Sequence, residues 1–135
     1  MRTLRSALLL LLVALAACAS TPDRGDALRE AQYAWSAAVR WGDFEGAWQL
    51  VDPAYRDAHP LSSVELARYK QIQVSRYHET GGQVSGDTAT RAVEIGVVNR
   101  NTQVQRDAHY QEQWRYDQAA ERWWITGGLP DFWKD

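Results

Sequence analysis

One carboxylate and two guanidiniums fall where the sequence pattern puts apolar side chains. Counted by alternate positions along the second half of the chain, Arg91, Arg106 and Glu112 share a face with Ile95, Ala108, Tyr110 and Trp114. A charge on such a face is costly unless it is paired or hydrated. Arg91 and Glu112 are therefore expected either to neutralise each other or to sit on a pocket floor, and Glu112 in an open pocket would have the chemistry of a general acid/base. Asp107 and His109 lie two residues apart and have the types of a carboxylate-oriented imidazole base, but they share their face with Gln103, Gln105, Gln111, Gln113 and Arg115, so a solvated surface pair is expected. His59, His78 and His109 do not stand at metal-ligand spacings with carboxylates, so no metal site is expected. The sequence has neither a glycine-rich phosphate loop after a strand nor a Gly-x-Ser-x-Gly elbow, and no cofactor is expected. Fifteen basic against 17 acidic residues give a net charge of -2, which removes the basis for a broad nucleic-acid footprint. The seven tryptophans are the remaining chemical resource, because an indole can stack on a sugar or fill a pocket. Trp35, Trp48, Trp114 and Trp123 fall on expected core faces and Trp41 stands at the end of the first helix; Trp124 and Trp133 are the candidates for an exposed contact with glycan, lipid or a partner protein.

The single cysteine, Cys18, follows a distinct leader. Arg2 and Arg5 precede the apolar run from Ala7 to Leu15, which ends in Ala16 and Ala17: a basic region, an apolar region and a small-residue cleavage zone. The run is about half of the ~20 apolar residues that a resident transmembrane helix needs. Leu15-Ala16-Ala17-Cys18 resembles the lipobox of bacterial lipoproteins. The resemblance implies a diacylglycerol thioether on the Cys18 sulfur, cleavage before Cys18, and acylation of the new amino group by a fatty acid such as palmitate. More than one acyl chain is needed for stable anchoring. Ala19 stands where an aspartate would resemble an inner-membrane retention signal, which implies the outer membrane, facing the periplasm, with the inner membrane and the cell surface as alternatives. The expected organisation is a signal peptide over 1–17, a lipidated tether over 18–25 and one domain over 26–135. The Pro- and Gly-punctuated tether Ala19 to Gly25 reaches at most about 23–25 Å. With its only thiol lipidated, the domain must be stable by packing alone.

The elements that would position these residues can be read from periodicity. Asp26 is a plausible N-cap for a first helix through Leu28, Ala31, Trp35, Ala38 and Val39, stopped by Gly42. Asp43 caps a second helix carrying Phe44, Ala47, Trp48 and Val51, Asp52-Pro53 restarts the chain, and Ser62 with Glu65 forms a capping box for a helix ending near Lys70. The period then changes to two over Ile72 to Glu79, Thr88 to Asn99, Thr102 to Tyr116 and Glu121 to Thr126, the first two separated by Gly81-Gly82 with Gly86-Asp87, and Gly81-Gly82 and Gly127-Gly128 reading as turns. A two-residue turn at Arg100-Asn101 would place Arg91 opposite Tyr110, with Glu112 as its diagonal neighbour. A loop over Asp117 to Ala120 would place Trp114 opposite Trp123 and point Trp124 outward. Helices followed by antiparallel strands make an α+β domain.

Trp41-Gly42-Asp43-Phe44 closing the first helix, then Trp48, Tyr55-Arg56 and a strand meander ending in Trp123-Trp124-Ile125, resembles the nuclear transport factor 2-like superfamily, which includes ketosteroid isomerase and SnoaL-like proteins. The resemblance covers about residues 26 to 130. It implies N-terminal helices packed on a curved antiparallel sheet of about four strands, forming a cone whose interior can hold a ligand; Tyr33, Trp35, Arg91, Tyr110 and Glu112 are the candidate pocket residues. The isomerase branch places a tyrosine oxyanion donor where this chain has Trp35, and an aspartate where it has Ala58-His59-Pro60-Leu61, so steroid isomerisation by that route is not expected. The reading that follows is a non-catalytic, membrane-tethered envelope lipoprotein whose domain binds a partner protein or a small apolar ligand. Two alternatives stand beside it: a cofactor-free hydratase or isomerase using Glu112 as acid/base, and a peptidoglycan- or glycan-binding module using surface tryptophans. A packed ion pair at Glu112 would argue against the first, and Trp124 and Trp133 exposed together would favour the second.

Overall fold

The structure is a computed structural model that describes residues 23–134. The expected signal peptide, Cys18 and most of the expected tether lie outside the described residues. Among those described, four helices precede four strands: α1 (Arg24–Arg40), α2 (Phe44–Gln49), α3 (Pro53–Ala58), α4 (Ser63–Tyr69), then β1 (Ile72–Ser85), β2 (Thr88–Asn99), β3 (Gln105–Asp117) and β4 (Arg122–Ile125). The strands form one curved antiparallel sheet in the order β1-β2-β3-β4. The α+β architecture is the one that the change of period predicts.

The helix starts follow their caps. Asp43, Asp52 and Ser62 each accept a backbone N–H at the head of a helix, and Ser62 with Glu65 closes the reciprocal capping box. The first helix begins earlier than expected: Asp23, not Asp26, is the cap, and Asp26 lies in the first turn, where its charge favours the helix dipole. Gly42 follows the C-cap Trp41 at φ 73°, a conformation that costs glycine nothing.

Both hairpin registers differ from expectation by two residues while keeping every side chain on its face. Arg91 lies directly opposite Glu112, not opposite Tyr110, and Trp114 pairs with Ile125 while Tyr116 pairs with Trp123. The cause is one loop design used twice. Asn99 Oδ1 accepts the N–H groups of Asn101 (2.9 Å) and Thr102 (3.1 Å), and Asp117 Oδ1 accepts those of Ala119 (3.0 Å) and Ala120 (3.1 Å). Each loop then closes through a left-handed residue, Gln103 at φ 59° and Glu121 at φ 51°. Two-residue hairpin turns favour a glycine that Arg100-Asn101 lacks, so the side-chain-capped four-residue loop forms instead.

The expected Gly81-Gly82 turn is also corrected: both residues continue β1, opposite Ala92 and Arg91, beyond a register shift after Glu79. The turn is made by Gly86-Asp87, between the paired Ser85 and Thr88. A Cβ on Gly82 would meet the Thr90 carbonyl oxygen at 2.7 Å, so the strands can approach there only without a side chain. The core lies between the helices and the inner sheet face and includes Trp35, Val39, Phe44, Val93, Ile95, Val97, Trp114, Trp123 and Ile125. The Leu50 to Asp52 segment closes the outer side of β4 through Ile125 N–H to Leu50 O (3.1 Å) and Asp52 N–H to Ile125 O (2.8 Å).

The two adjacent glycines should respond differently to the same methyl group. Gly82→Ala is expected to lose about 1–3 kcal/mol, as overpacking against backbone does. Gly81→Ala, with nothing within 4 Å of the added atom, is expected to stay within about 0.5 kcal/mol of the parent. Urea melts of the two variants check this, and equal losses would count against the close approach at Gly82.

Candidate functional site

The charged pair anticipated on the apolar face lies at the centre of the molecule. Arg91 of β2 meets Glu112 of β3 as a cross-strand pair, through Nε to Oε2 at 2.8 Å and Nη2 to Oε1 at 2.7 Å. Direct opposition lets the planar guanidinium fork match the carboxylate with two parallel bonds. Trp114 Nε1 donates to Oε2 at 2.8 Å, and the Tyr77 hydroxyl from β1 donates to Oε1. Four donors thus fill the two oxygens of a carboxylate whose exposure is 0%. Arg91 also donates from Nη2 to the Gln32 carbonyl of α1 (3.2 Å), and its Nη1 lies 3.7 Å from Glu79.

This environment sets the protonation of its members. Burial pushes the Tyr77 phenol well above the usual tyrosine range, and the negative charge of Glu112 pushes it further, so Tyr77 remains a donor. Burial alone would weaken the charge on Arg91, but the hydrogen bonds and charge of Glu112 outweigh it and hold Arg91 more firmly protonated. Burial also raises the Tyr110 phenol, whose hydroxyl donates to the Gly128 carbonyl at 2.8 Å. With both oxygens occupied and no exposure to solvent, the Glu112 carboxylate is reached by another molecule only if this network breaks.

The other expected site residues divide. Trp35 is fully buried, stacks on Tyr110 at 6.3 Å between ring centroids and meets Trp114 edge-on at 6.3 Å, so it packs the core and does not line an open pocket. Tyr33 is a correction: it is 76% exposed on the solvent side of α1 and belongs to no interior pocket. Trp124 and Trp133 are corrections too. Trp124 does occupy the outer sheet face, opposite Arg115, but it is only 8% exposed beneath the Arg122 guanidinium, 3.9 Å from the ring. Trp133 is half-buried between Tyr69 and Phe132, with Arg68 over it at 3.9 Å. Asp107 and His109 are exposed as anticipated; Asp107 pairs with Arg76 at 2.9 Å, and His109 stands 3.9 Å from Glu94.

An opening between the first helix and the sheet lies away from the charged pair. A groove of about 450 Å³ separates the N-terminal half of α1 from the β3–β4 hairpin. Ala27, Ala31 and Ala34 form its helical wall, while Trp114, Tyr116 and Trp123 contribute its aromatic side. These alanines recur at helical spacing, and their short side chains leave the space that a leucine row would fill. Trp123 Nε1 donates to the Arg24 carbonyl at 3.0 Å, and Arg24 covers Tyr116 at 4.6 Å, fixing one end of the groove. Glu30, Glu121 and Arg122 supply its charges. The signal that could have revealed it is the alanine stripe, of which the apolar periodicity of the first helix includes only Ala31.

Solved structures share this architecture. A SEC-C motif containing protein from Rhodopseudomonas palustris aligns over 71% of this chain and 72% of its own, with TM-score 0.56 at 20% identity. A ketosteroid isomerase-like protein from Erwinia carotovora atroseptica aligns over 78% and 93%, with TM-score 0.51 at 21% identity, and an NTF2-like protein from Cytophaga hutchinsonii over 76% and 93%, with TM-score 0.50 at 12% identity. No protein-family model and no curated protein matches the sequence. At these identities the likeness is one of fold alone: this chain shares the α+β architecture of these proteins, helices followed by a curved four-stranded antiparallel sheet.

The central pair makes a direct energetic prediction. Arg91→Met and Glu112→Leu should each destabilise the domain by about 3–5 kcal/mol, because each strands a buried partner, whereas the double variant should lose much less than the sum. A denaturant double-mutant cycle measures the difference, and additive, near-zero effects would place both groups in solvent.

Proposed function

We propose that this chain is a non-catalytic envelope lipoprotein, held at the outer membrane by lipid on Cys18, whose domain binds a small apolar ligand in the groove between α1 and the β3–β4 hairpin. The observation that carries the binding reading is the groove itself. Its volume, about 450 Å³, lies in the range of small-molecule sites, and small apolar side chains face aromatic rings across it. The lipoprotein reading rests on the leader and Leu15-Ala16-Ala17-Cys18. The saturation of Glu112 weighs against the hydratase or isomerase alternative, and the burial of Trp124 and Trp133 weighs against a glycan platform built from them.

Apolar binding can be measured with the neutral probe N-phenyl-1-naphthylamine, whose emission rises on leaving water. The parent protein is expected to enhance it. Ala34→Trp, at an exposed position on the groove wall, should weaken binding at least tenfold without changing the unfolding midpoint, and Ala31→Phe should act similarly from deeper in the wall. No enhancement by the parent, or undiminished binding by both well-folded variants, would overturn the groove as the site.

The anchor has its own readout. Mass spectrometry of the protein made in a Gram-negative host is expected to find Cys18 as the first residue, carrying acyl chains, and Cys18→Ser should abolish that species and its recovery with outer membranes. An unmodified N-terminus other than Cys18 would refute lipidation.

A further inference from the structure

The sheet has two edges, and only one of them is finished. β4 pairs with β3 solely over Trp114 to Asp117, so β3 from Gln105 to Gln113 runs on without a neighbouring strand on that side. Where β4 ends, the Thr126 N–H donates to the Gln113 carbonyl at 2.8 Å, which shows that Gln113 turns its backbone groups toward that edge. In an antiparallel strand each residue directs both its N–H and C=O to one side, and alternate residues share that side. Gln111, His109 and Asp107 therefore present their backbone groups to the open edge, and none of these groups has a backbone partner there among the described residues.

Ordinary edge protection is present at β1 and missing here. The pairing of β1 with β2 is broken by two register shifts, between Val74 and Arg76 and between Glu79 and Gly81, which twist an edge out of line. β3 keeps an unbroken register from Gln105 to Arg115. The C-terminal segment 127–134 lies beside this edge without joining it, and the two together line a cleft of about 720 Å³ that includes Ala108, Tyr110, Leu129 and Phe132.

We propose that the open half of β3, from Asp107 to Gln111, is a docking edge for one extended segment of another protein, which adds to the sheet as a strand between β3 and the C-terminal segment. The exposed chemistry defines the occupant. Unpaired N–H and C=O groups at every second residue are complementary to an extended backbone and to little else. Side chains of the incoming strand alternate between the apolar side of the cleft, at Ala108, Tyr110, Leu129 and Phe132, and the polar outer face, at Asp107, His109 and Gln111, so the segment alternates apolar and polar residues. Lys134 on the cleft wall has no partner among the described residues, so an acidic residue in the segment gains a charge partner there. The edge is distinct from the groove at α1, and the inference does not depend on it.

The test separates backbone pairing from side-chain recognition. Random heptapeptides would be selected on the full chain in detergent micelles. The expected binders alternate apolar and polar residues, include an acidic one, and shift the amide resonances of Asp107, His109 and Gln111. His109→Ala should bind them as the parent does, while His109→Pro, which removes an outward N–H and no bond to β2, should bind at least tenfold more weakly. Methylating alternate backbone nitrogens of a selected peptide should produce the same loss with the protein unaltered, which keeps the test decisive if the proline variant fails to fold. Recovery of no binder, undiminished binding of the methylated peptide, or resonance shifts confined to the α1 groove would overturn the proposal. A dimer in sedimentation that His109→Pro dissolves would assign the edge to a second copy of this chain and overturn it equally.

Discussion

Glu112 carries its charge in the middle of the sheet without contact with water, and the domain is arranged around satisfying it. Arg91 neutralises it from β2, Tyr77 reaches it from β1, Trp114 reaches it from the same strand, and Arg91 extends the network to the Gln32 carbonyl of α1. Such a pair contributes little net stability beyond an apolar substitute, because desolvating two charges offsets most of their attraction. Its effect is on which arrangement is permitted. If β2 slid by two residues against β3, Arg91 would face Tyr110, and the bidentate match would be lost inside an apolar layer. Parity alone tolerates that slip, since the same side chains stay inside. The ion pair and the two side-chain-capped loops are what exclude it.

The division between what periodicity reveals and what it conceals follows from that distinction. Helix order, strand order and the inward faces were legible because apolar spacing encodes which side of an element is buried. The caps at Asp43, Asp52 and Ser62 were legible because each side chain bonds within its own turn. Register depends on loop chemistry, and the relevant signal was an Asn or Asp accepting the two N–H groups two and three residues ahead. Asn99 and Asp117 both do this, but neither loop carries the glycine that makes a hairpin turn conspicuous. The Gly81-Gly82 pair misled for the opposite reason. Two glycines suggest a turn when read locally, but at Gly82 the absent side chain serves an approach to Thr90 across the sheet.

The cover over Trp124 and Trp133 was concealed by a related limit. Alternation correctly places Trp124 on the outer face, yet outer is not the same as exposed. Arg122 folds its guanidinium over the indole from a position two residues away on the same strand face, and Arg68 covers Trp133 from α4. A long cationic side chain covers an aromatic surface that strand parity alone leaves open. Tyr33 shows the converse on a helix, where a large ring next to the buried Trp35 faces solvent because the helical turn separates adjacent residues.

Filling the interior has consequences for where recognition can occur. Trp35, Tyr110, Trp114 and the Arg91–Glu112 network occupy the space that an open cone would leave for a ligand. The α1 groove and the cleft beside the C-terminal segment lie at the periphery, on different parts of one strand. At its C-terminal end β3 is covered by β4, and Trp114 and Tyr116 face α1 across the alanine groove; toward its N-terminal end it has no neighbour beyond β2 and presents backbone. Glu112 sits between the two and is bonded to two other strands, β1 and β2, so β3 cannot shift toward one opening without breaking hydrogen bonds to a buried carboxylate. The carboxylate that resembled a catalytic group in the sequence thereby acts as the fixed point from which two separate surfaces are held in place.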